Sequence, residues 1–349
     1  MKQTIVYDEK VPFVDLILGD RYDLCPLPAC EITADTVADA DGLIIRTRTI
    51  VDKNLLENSR CKVVATATIG IDHIDRYWCE ANGITVANAP GCNAPAVAQW
   101  VFAAIAGIMH RIPSSPTLGI VGVGHVGAIV AKWGKSVGFN ILACDPPRAR
   151  AEKSSSFCTI DEIADKADII TFHTPLTTDG EDATFHLAGH RFLSSLKQKP
   201  YILNAARGPV VDTSALIDAL DTDKIAGAMI DCWEGEPDIS LPLLDRTAIA
   251  TPHIAGYSLE GKIRASVMAA EVIDRILQPG YNSPIDMSRI ATDADGRWID
   301  VPAVIPSDVT LEMIAGSYDI SADSARLKSD PAQFEKLRNN YSLRHEVKQ

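Results

Sequence analysis

The stretch GIVGVGHVGAIVAKWG, residues 119 to 134, decides the fold. An apolar run, GIV, ends at Gly122; Gly124 and Gly127 follow, and then a helical pattern begins. A G-x-G-x-x-G spacing by itself marks many ordinary turns, so its context matters. Between a strand and a helix, Gly122 permits the tight turn, Gly124 admits a pyrophosphate to the backbone, and Gly127 lets helix and strand pack closely. The free N–H groups and positive dipole end of the helix do the rest. Asp145 closes the next strand candidate in LACDPPR, 18 residues beyond Gly127. A carboxylate there accepts hydrogen bonds from an adenosine ribose and repels a 2′-phosphate, which favours NAD over NADP. Arg148, three residues on, is the feature that would favour NADP.

Working outward, strand candidates LGIVG, NILACD, ADIITFHT, YILNAA, IAGAMID and AIATP alternate with helices between residues 118 and 252. A second alternation precedes them, with TIVYD, GLIIR, KVVATA and ITVANA as strands. Both read as β-α-β units around parallel sheets. Residues 93 to 111, opened by Asn93, read as a long apolar helix connecting two domains, and a second long helix starts at Leu259. After Pro279 the chain turns polar, and helical patterns return in TLEMIAGSY and PAQFEKLRNNYSLRHE.

The 349 residues carry a formal charge of −13, which argues against a general nucleic-acid or membrane-surface binder. The N-terminus shows no basic leader and apolar run, and Gln99 interrupts the longest apolar stretch, so neither a signal peptide nor a membrane span is expected. Eight cysteines occur without C-x-x-C spacing, which suggests no metal site and a reducing cytoplasm. Cys92, Cys144 and Cys232 read as small buried fillers.

Three segments fall at successive strand ends of the alternation between residues 118 and 252, where such sheets collect ligands: NAARGPVVD, DCWEGEPD and TPHIAGY. They offer Arg207, a set of carboxylates, and His253. A guanidinium grips a carboxylate in bidentate fashion. A histidine takes the proton of a hydroxyl as hydride leaves the same carbon, and a neighbouring acid orients the imidazole. Each residue alone has a bland reading: a surface arginine, a solvated glutamate, a satisfied core histidine. Together on a nucleotide-binding sheet they point to a 2-hydroxy acid.

In order and separation, GVGHVG, NAARGPVVD, DCWEGEP and TPHIAG resemble the motif set of the D-2-hydroxyacid dehydrogenases. The resemblance implies a flavodoxin-like substrate domain, residues 1–92 completed by 256–280, and an inserted Rossmann NAD-binding domain, residues 93–255. It implies a catalytic set of Arg207, Glu236 and His253, with Glu236 pairing the histidine. It implies cofactor contacts at Gly122, Gly124, His125, Val126, Gly127, Asp145, Thr174, Ala205, Asp231 and Gly256. His73 and His173 are left structural; Glu234 and Asp238 are expected to be solvated.

The segments APGCNAPAVAQ, CDPPRA, TFHTPLTTDG, HIAGYSLEGK and FEKLRNNYSLRHE are similar to the branch of that family acting on a phosphorylated hydroxy acid. That likeness implies a C-terminal dimerisation module, residues 281–349, and a homodimer. Substrate contacts would be Thr47, Thr68 and Tyr257, with Arg46 and Arg48 in IIRTRTI as phosphate-facing cations. Position 47 departs from the serine of the pattern, and the tail is short between Asp286 and Val309. A surface charge pair is the bland reading of Arg46 and Arg48. The competing expectations are a dehydrogenase for 3-phosphoglycerate or glyoxylate, and an NAD-sensing protein resembling the transcriptional corepressors.

Overall fold

The computed structural model describes residues 2–281, 306 and 308–347. They form two compact units, one from residues up to Asn93 with those from Ser258 on, the other from Ala94–Tyr257 with the described C-terminal residues.

The first unit is a five-stranded parallel sheet. Its strands are β1 (Thr4–Asp8), β2 (Asp23–Leu27), β3 (Gly42–Ile45), β4 (Val63–Thr66) and β5 (Thr85–Ala87), in the order β2-β1-β3-β4-β5. This is the flavodoxin-like order. Ile5, Ile44, Val63 and Ala65 feed one core and Val6, Leu43, Ile45 and Val64 the other, as neighbours on a strand point to opposite faces. The helix Leu259–Leu277 packs on this sheet. At its last turns Asp274 receives the Arg21 guanidinium at 2.9 Å and the Tyr22 hydroxyl at 2.9 Å. The sequence reading missed β2, DLCPL. It holds Pro26 and carries little alternation, and it survives because an edge strand can leave one backbone position without a donor.

The second unit has six parallel strands: β6 (Thr117–Val121), β7 (Asn140–Cys144), β8 (Ile169–Phe172), β9 (Tyr201–Asn204), β10 (Gly227–Ile230) and β11 (Ile249–Ala250). Their order is β11-β10-β9-β8-β6-β7. The chain leaves β6 for β7 on one side and returns to β8 on the other. The strand order therefore reverses beside β6, and a crevice opens at the carboxyl ends where the glycine turn sits. Both faces are covered: Leu118, Ile120, Ile169 and Leu203 point into one core, Val121, Ile170, Ile202 and Ile230 into the other. Near-continuous apolar strands follow from that two-sided burial.

The helix expected as a connection is shorter, Ala94–Ala106, and lies inside the second unit with nearly every residue buried. Gln99, the break in its apolar run, is 0% exposed and fully engaged. It donates to Ser317 Oγ at 2.9 Å and to the His345 carbonyl at 3.0 Å, and accepts from Arg344 at 3.0 Å.

The described residues of the C-terminal segment, expected as a small dimerisation module, pack on both faces of the second unit. Val309, Ile314, Tyr318, Ile320 and Val347 join one core, and Leu327 and Phe334 the other. The expected shortness between Asp286 and Val309 lies almost wholly outside the described residues. Among the described residues, no helix is long and apolar enough to cross a membrane.

Candidate active site

The nucleotide turn follows from its glycines. Gly122 has φ 88°, and a Cβ there would sit 2.8 Å from the His173 backbone. A Cβ at Gly127 would meet the Gly122 carbonyl at 2.1 Å, so no larger residue fits beneath the turn. A Cβ at Gly124 would meet nothing within 4 Å, which leaves the backbone open to an approaching group. Gly124 caps the helix His125–Ser136 without a side-chain bond, so the first amides, starting at His125 and Val126, are uncapped by side chains. Asp145 lies against this turn, accepting from Val123 N at 2.8 Å and from Arg148 N at 3.1 Å. The Thr174 hydroxyl, just past β8, is buried without a partner, as a contact awaiting a ligand would be. These features fit a dinucleotide. Arg148 is turned onto Glu152 at 2.7 Å and onto the Val123 carbonyl, so both groups hold the residue that would favour NADP.

Arg207, Glu236 and His253 all belong to loops at the carboxyl ends of β9, β10 and β11. Ala205 begins the first of these loops, which reaches Arg207, the residue preceding the 3-10 turn Gly208–Val210. The buried side-chain amide of Asn204 donates to the carbonyls of Arg207 at 3.0 Å and Cys232 at 3.3 Å, stapling that loop to the next. Gly208 is required there: a Cβ would lie 1.9 Å from the Trp233 carbonyl.

Glu236 accepts from Trp233 N at 2.8 Å and contacts His253 Nδ1 at 2.8 Å. Burial alone would push the Glu236 carboxyl up. The hydrogen bond and charge of His253, the Trp233 amide and the Arg338 guanidinium outweigh it and hold it below the usual value. With Nδ1 tied to the carboxylate, Nε2 is the ring nitrogen left to exchange a proton. His253 has φ 57°, a left-handed conformation that few side chains adopt.

Asp231 is 1% exposed. It accepts from Thr251 Oγ1 at 2.6 Å and from the amides of Ile254 and Ala255 at 2.8 and 3.0 Å. Burial raises its carboxyl above the usual value, against the charge of His253 and these donors. Expected as a cofactor contact, it also anchors the loop that carries His253 and Gly256.

Two further residues are more engaged than expected. Glu234 is not a solvated acid. It pairs with His186 Nε2 at 2.6 Å and accepts from Thr213 N at 3.1 Å, while Asp212 lies 3.3 Å from His186 Nδ1. The carboxylates hold opposite edges of one ring, which reads as a brace on the loop. Arg46 is held by an acid: Nε and Nη2 contact Asp8, itself 0% exposed, at 2.9 and 3.1 Å. A buried acid needs that fork. His173 stays structural, its Nε2 3.0 Å from Thr171 Oγ1, and burial lowers it to about 3.

Of the remaining positions, Thr47 is exposed just beyond β3. The Thr68 hydroxyl lies 2.7 Å from that of Thr66. Tyr257 closes the His253 loop, its ring edge-on to Tyr341.

Two groups near the site escaped the sequence reading. Arg344 is 9% exposed and donates to the carbonyls of Ala96, Ile254 and Tyr257, each at 3.0 Å, and to that of Ala255. Arg338 approaches Glu236 Oε2 at 3.5 Å. Neither carried a local signal, because these partners lie 87 to 248 residues from Arg344 and 102 from Arg338.

A Rossmann sheet with a guanidinium, a carboxylate and an imidazole at its ligand-facing edge defines an NAD-binding 2-hydroxyacid dehydrogenase. Residues 98–255 match the sequence model of the D-isomer specific 2-hydroxyacid dehydrogenase NAD-binding domain. Among solved structures, a D-lactate dehydrogenase from Aquifex aeolicus complexed with NAD and lactic acid aligns with TM-score 0.65 and 25% identity. It covers 79% of this chain and 95% of its own. A 3-phosphoglycerate dehydrogenase from Entamoeba histolytica with bound NAD+ aligns with TM-score 0.68 and 25% identity, covering 82% and 99%. The chain is 40% identical to an erythronate-4-phosphate dehydrogenase of Bacteroides thetaiotaomicron, over 99% of this chain and 97% of that one. It is 36% identical to the enzyme of that name from Escherichia coli O157:H7, over 98% and 92%. The chain belongs to the erythronate-4-phosphate dehydrogenase family.

Proposed function

We propose that this protein oxidises 4-phospho-D-erythronate at C2, giving 2-oxo-3-hydroxy-4-phosphobutanoate, with NAD as acceptor, in the synthesis of pyridoxal 5′-phosphate. The observation that carries the chemistry is the 2.8 Å contact of His253 Nδ1 with Glu236. The substrate assignment rests on likeness along the whole chain to the relatives named above.

His253 Nε2 takes the C2 hydroxyl proton, and the imidazolium that forms is stabilised by Glu236. Arg207 holds the substrate carboxylate by a two-point contact. Bound NAD supplies the hydride acceptor. Gly122, Gly124, Gly127 and the amides of His125 and Val126 hold its pyrophosphate, Asp145 its ribose, and Ala205, Thr174 and Gly256 its remaining edge. Asp231 serves the cofactor side by fixing the loop. We assign Thr47, Thr68 and Tyr257 as substrate contacts. We assign the cationic part of phosphate recognition to Arg46, held in place by Asp8, and to Arg48. We further assign a homodimer formed through the C-terminal segment, and a cytoplasmic location, in keeping with eight free thiols.

The test follows nicotinamide absorbance with purified protein, NAD and 4-phospho-D-erythronate, repeated with a 2-oxo acid present to reoxidise retained cofactor. Turnover should fall steeply for unphosphorylated erythronate and vanish in His253→Ala. Activity confined to 3-phosphoglycerate or glyoxylate would keep the chemistry and discard the substrate. No turnover on any hydroxy acid would replace the enzyme with an NAD-sensing protein.

A further inference from the structure

Glu236 serves two cations. His253 Nδ1 lies 2.8 and 3.1 Å from its two oxygens, and Arg338 Nη1 lies 3.5 Å from Oε2. Arg338 comes from the C-terminal helix Phe334–Asn339, which is not adjacent in sequence to any loop of the site. Its position is enforced from both ends: Phe334 is 0% exposed in the core, and Arg344 is tied to the carbonyls of Ile254 and Tyr257. The Arg338 side chain is only 14% exposed, and its Nε is buried without a partner. The Tyr257 side chain is also within its electrostatic reach. A guanidinium so desolvated, with one donor unmatched, is costly to keep unless its partners need it.

We propose that Arg338 is a positioning residue for the acid–base pair, holding Glu236 as the carboxylate that orients His253 and fixing the Tyr257 hydroxyl beside it. The inference rests on the proposed roles of those residues in hydroxy-acid oxidation. The bond to His253 is the shorter, so the imidazole keeps first claim on the carboxylate while the guanidinium keeps that carboxylate charged. Without Arg338, a buried acid would take up a proton at higher pH, and a protonated Glu236 no longer stabilises an imidazolium. The other charged and titratable groups around the pair are Asp231 and Cys232 after β10, Arg207 after β9, and Tyr257. Glu335, one turn before Arg338, lies 3.9 Å from the same guanidinium nitrogen. Of these, Arg207 is the other cation, and in the proposed reaction it is given to the substrate.

The experiment compares full-length wild type, Arg338→Met and Arg338→Lys. It reads the 13Cδ titration of Glu236, assigned with Glu236→Gln, and the pH profile of kcat/KM for 4-phospho-D-erythronate. In the Met variant the Glu236 midpoint should rise by roughly one pH unit, with the acid limb of kcat/KM moving in parallel. Lys should restore both, yet leave KM raised several-fold because an ammonium cannot hold Glu236 and Tyr257 with one planar fork. Should the Met variant fail to fold, Arg338→Gln takes its place, with thermal melting as the control. An unmoved Glu236 midpoint in a folded variant overturns the proposal. A midpoint that moves while the kinetic limb stays would sink the acid–base reading of the pair, and the positioning role with it.

Discussion

Asn204 donates its side-chain amide to the carbonyl of Cys232 at 3.3 Å, across the gap between the loops that follow β9 and β10. The same nitrogen reaches the Arg207 carbonyl at 3.0 Å, and its Oδ1 accepts from Ala206 N at 3.2 Å. One buried amide thus sets the spacing between the loops carrying Arg207 and Glu236. Asn204→Ala should leave buried carbonyls unsatisfied and cost about 1–3 kcal/mol, seen as a lower urea midpoint. It should also lower kcat more than it raises the KM for NAD, because the glycine turn is untouched. Unchanged kinetics would mean that the two loops hold their spacing without it.

Gly124 and Gly127 should respond oppositely to alanine. A Cβ at Gly124 meets nothing within 4 Å, whereas one at Gly127 meets a backbone oxygen at 2.1 Å. Gly124→Ala should melt near the wild-type temperature yet bind NAD at least ten-fold more weakly, by calorimetry, because the methyl occupies the pyrophosphate's approach. Gly127→Ala should lose several degrees of melting temperature before any ligand is added. Equal melting temperatures would refute this account of the turn.

Arg344 joins the loop at 254–257 to the helix Ala94–Ala106 through the carbonyls of Ile254, Tyr257 and Ala96 and the Gln99 side chain. Arg344→Met should free the loop that carries His253 and cost roughly 3 kcal/mol, as buried charge-assisted hydrogen bonds vanish together. Hydrogen exchange at Ile254 and Ala255 is the direct check, and it should speed by more than ten-fold. Lysine should rescue little, since an ammonium cannot spread its donors over so many carbonyls.

His173 supplies a pH dependence unrelated to catalysis. Burial lowers it to about 3, so between that value and its unfolded value near 6.5 the unfolded chain binds the extra proton. Stability should therefore fall as pH drops below 6.5, by up to about 1.4 kcal/mol per unit from this group. His173→Gln should flatten that slope in denaturant titrations between pH 7 and 5. Glu236 behaves differently. Its folded carboxyl lies below the usual value, so its contribution is complete above the unfolded value and is lost only as pH falls through the folded one.

Much of this protein is determined locally and could be read along the chain. Apolar strands buried on both faces alternate with helices, which defines two parallel sheets without reference to any contact. The glycine turn and Asp145 are a strand, a turn and a strand end, all within 27 residues, so the dinucleotide site is also a local property. The edge strand β2 escaped because Pro26 sits in a short segment with little alternation, and an edge tolerates a proline.

Tertiary structure decided what short-range patterns cannot carry. Glu234 looked solvated until folding brought His186 to it from 48 residues away. Arg46 looked free until β1 and β3 paired side by side and placed Asp8 within its reach. Asp231, read for the cofactor, became the acceptor for three groups 20 to 24 residues downstream. Arg338 and Arg344 came to the site from the far end of the chain, as part of a segment that buries its apolar face on the nucleotide unit. A side chain's residue type limits what it can do. Whether a buried charge serves a ligand or a neighbouring loop depends on which partners the fold brings within 3 to 4 Å, because only there does a hydrogen bond or ion pair offset the cost of desolvation.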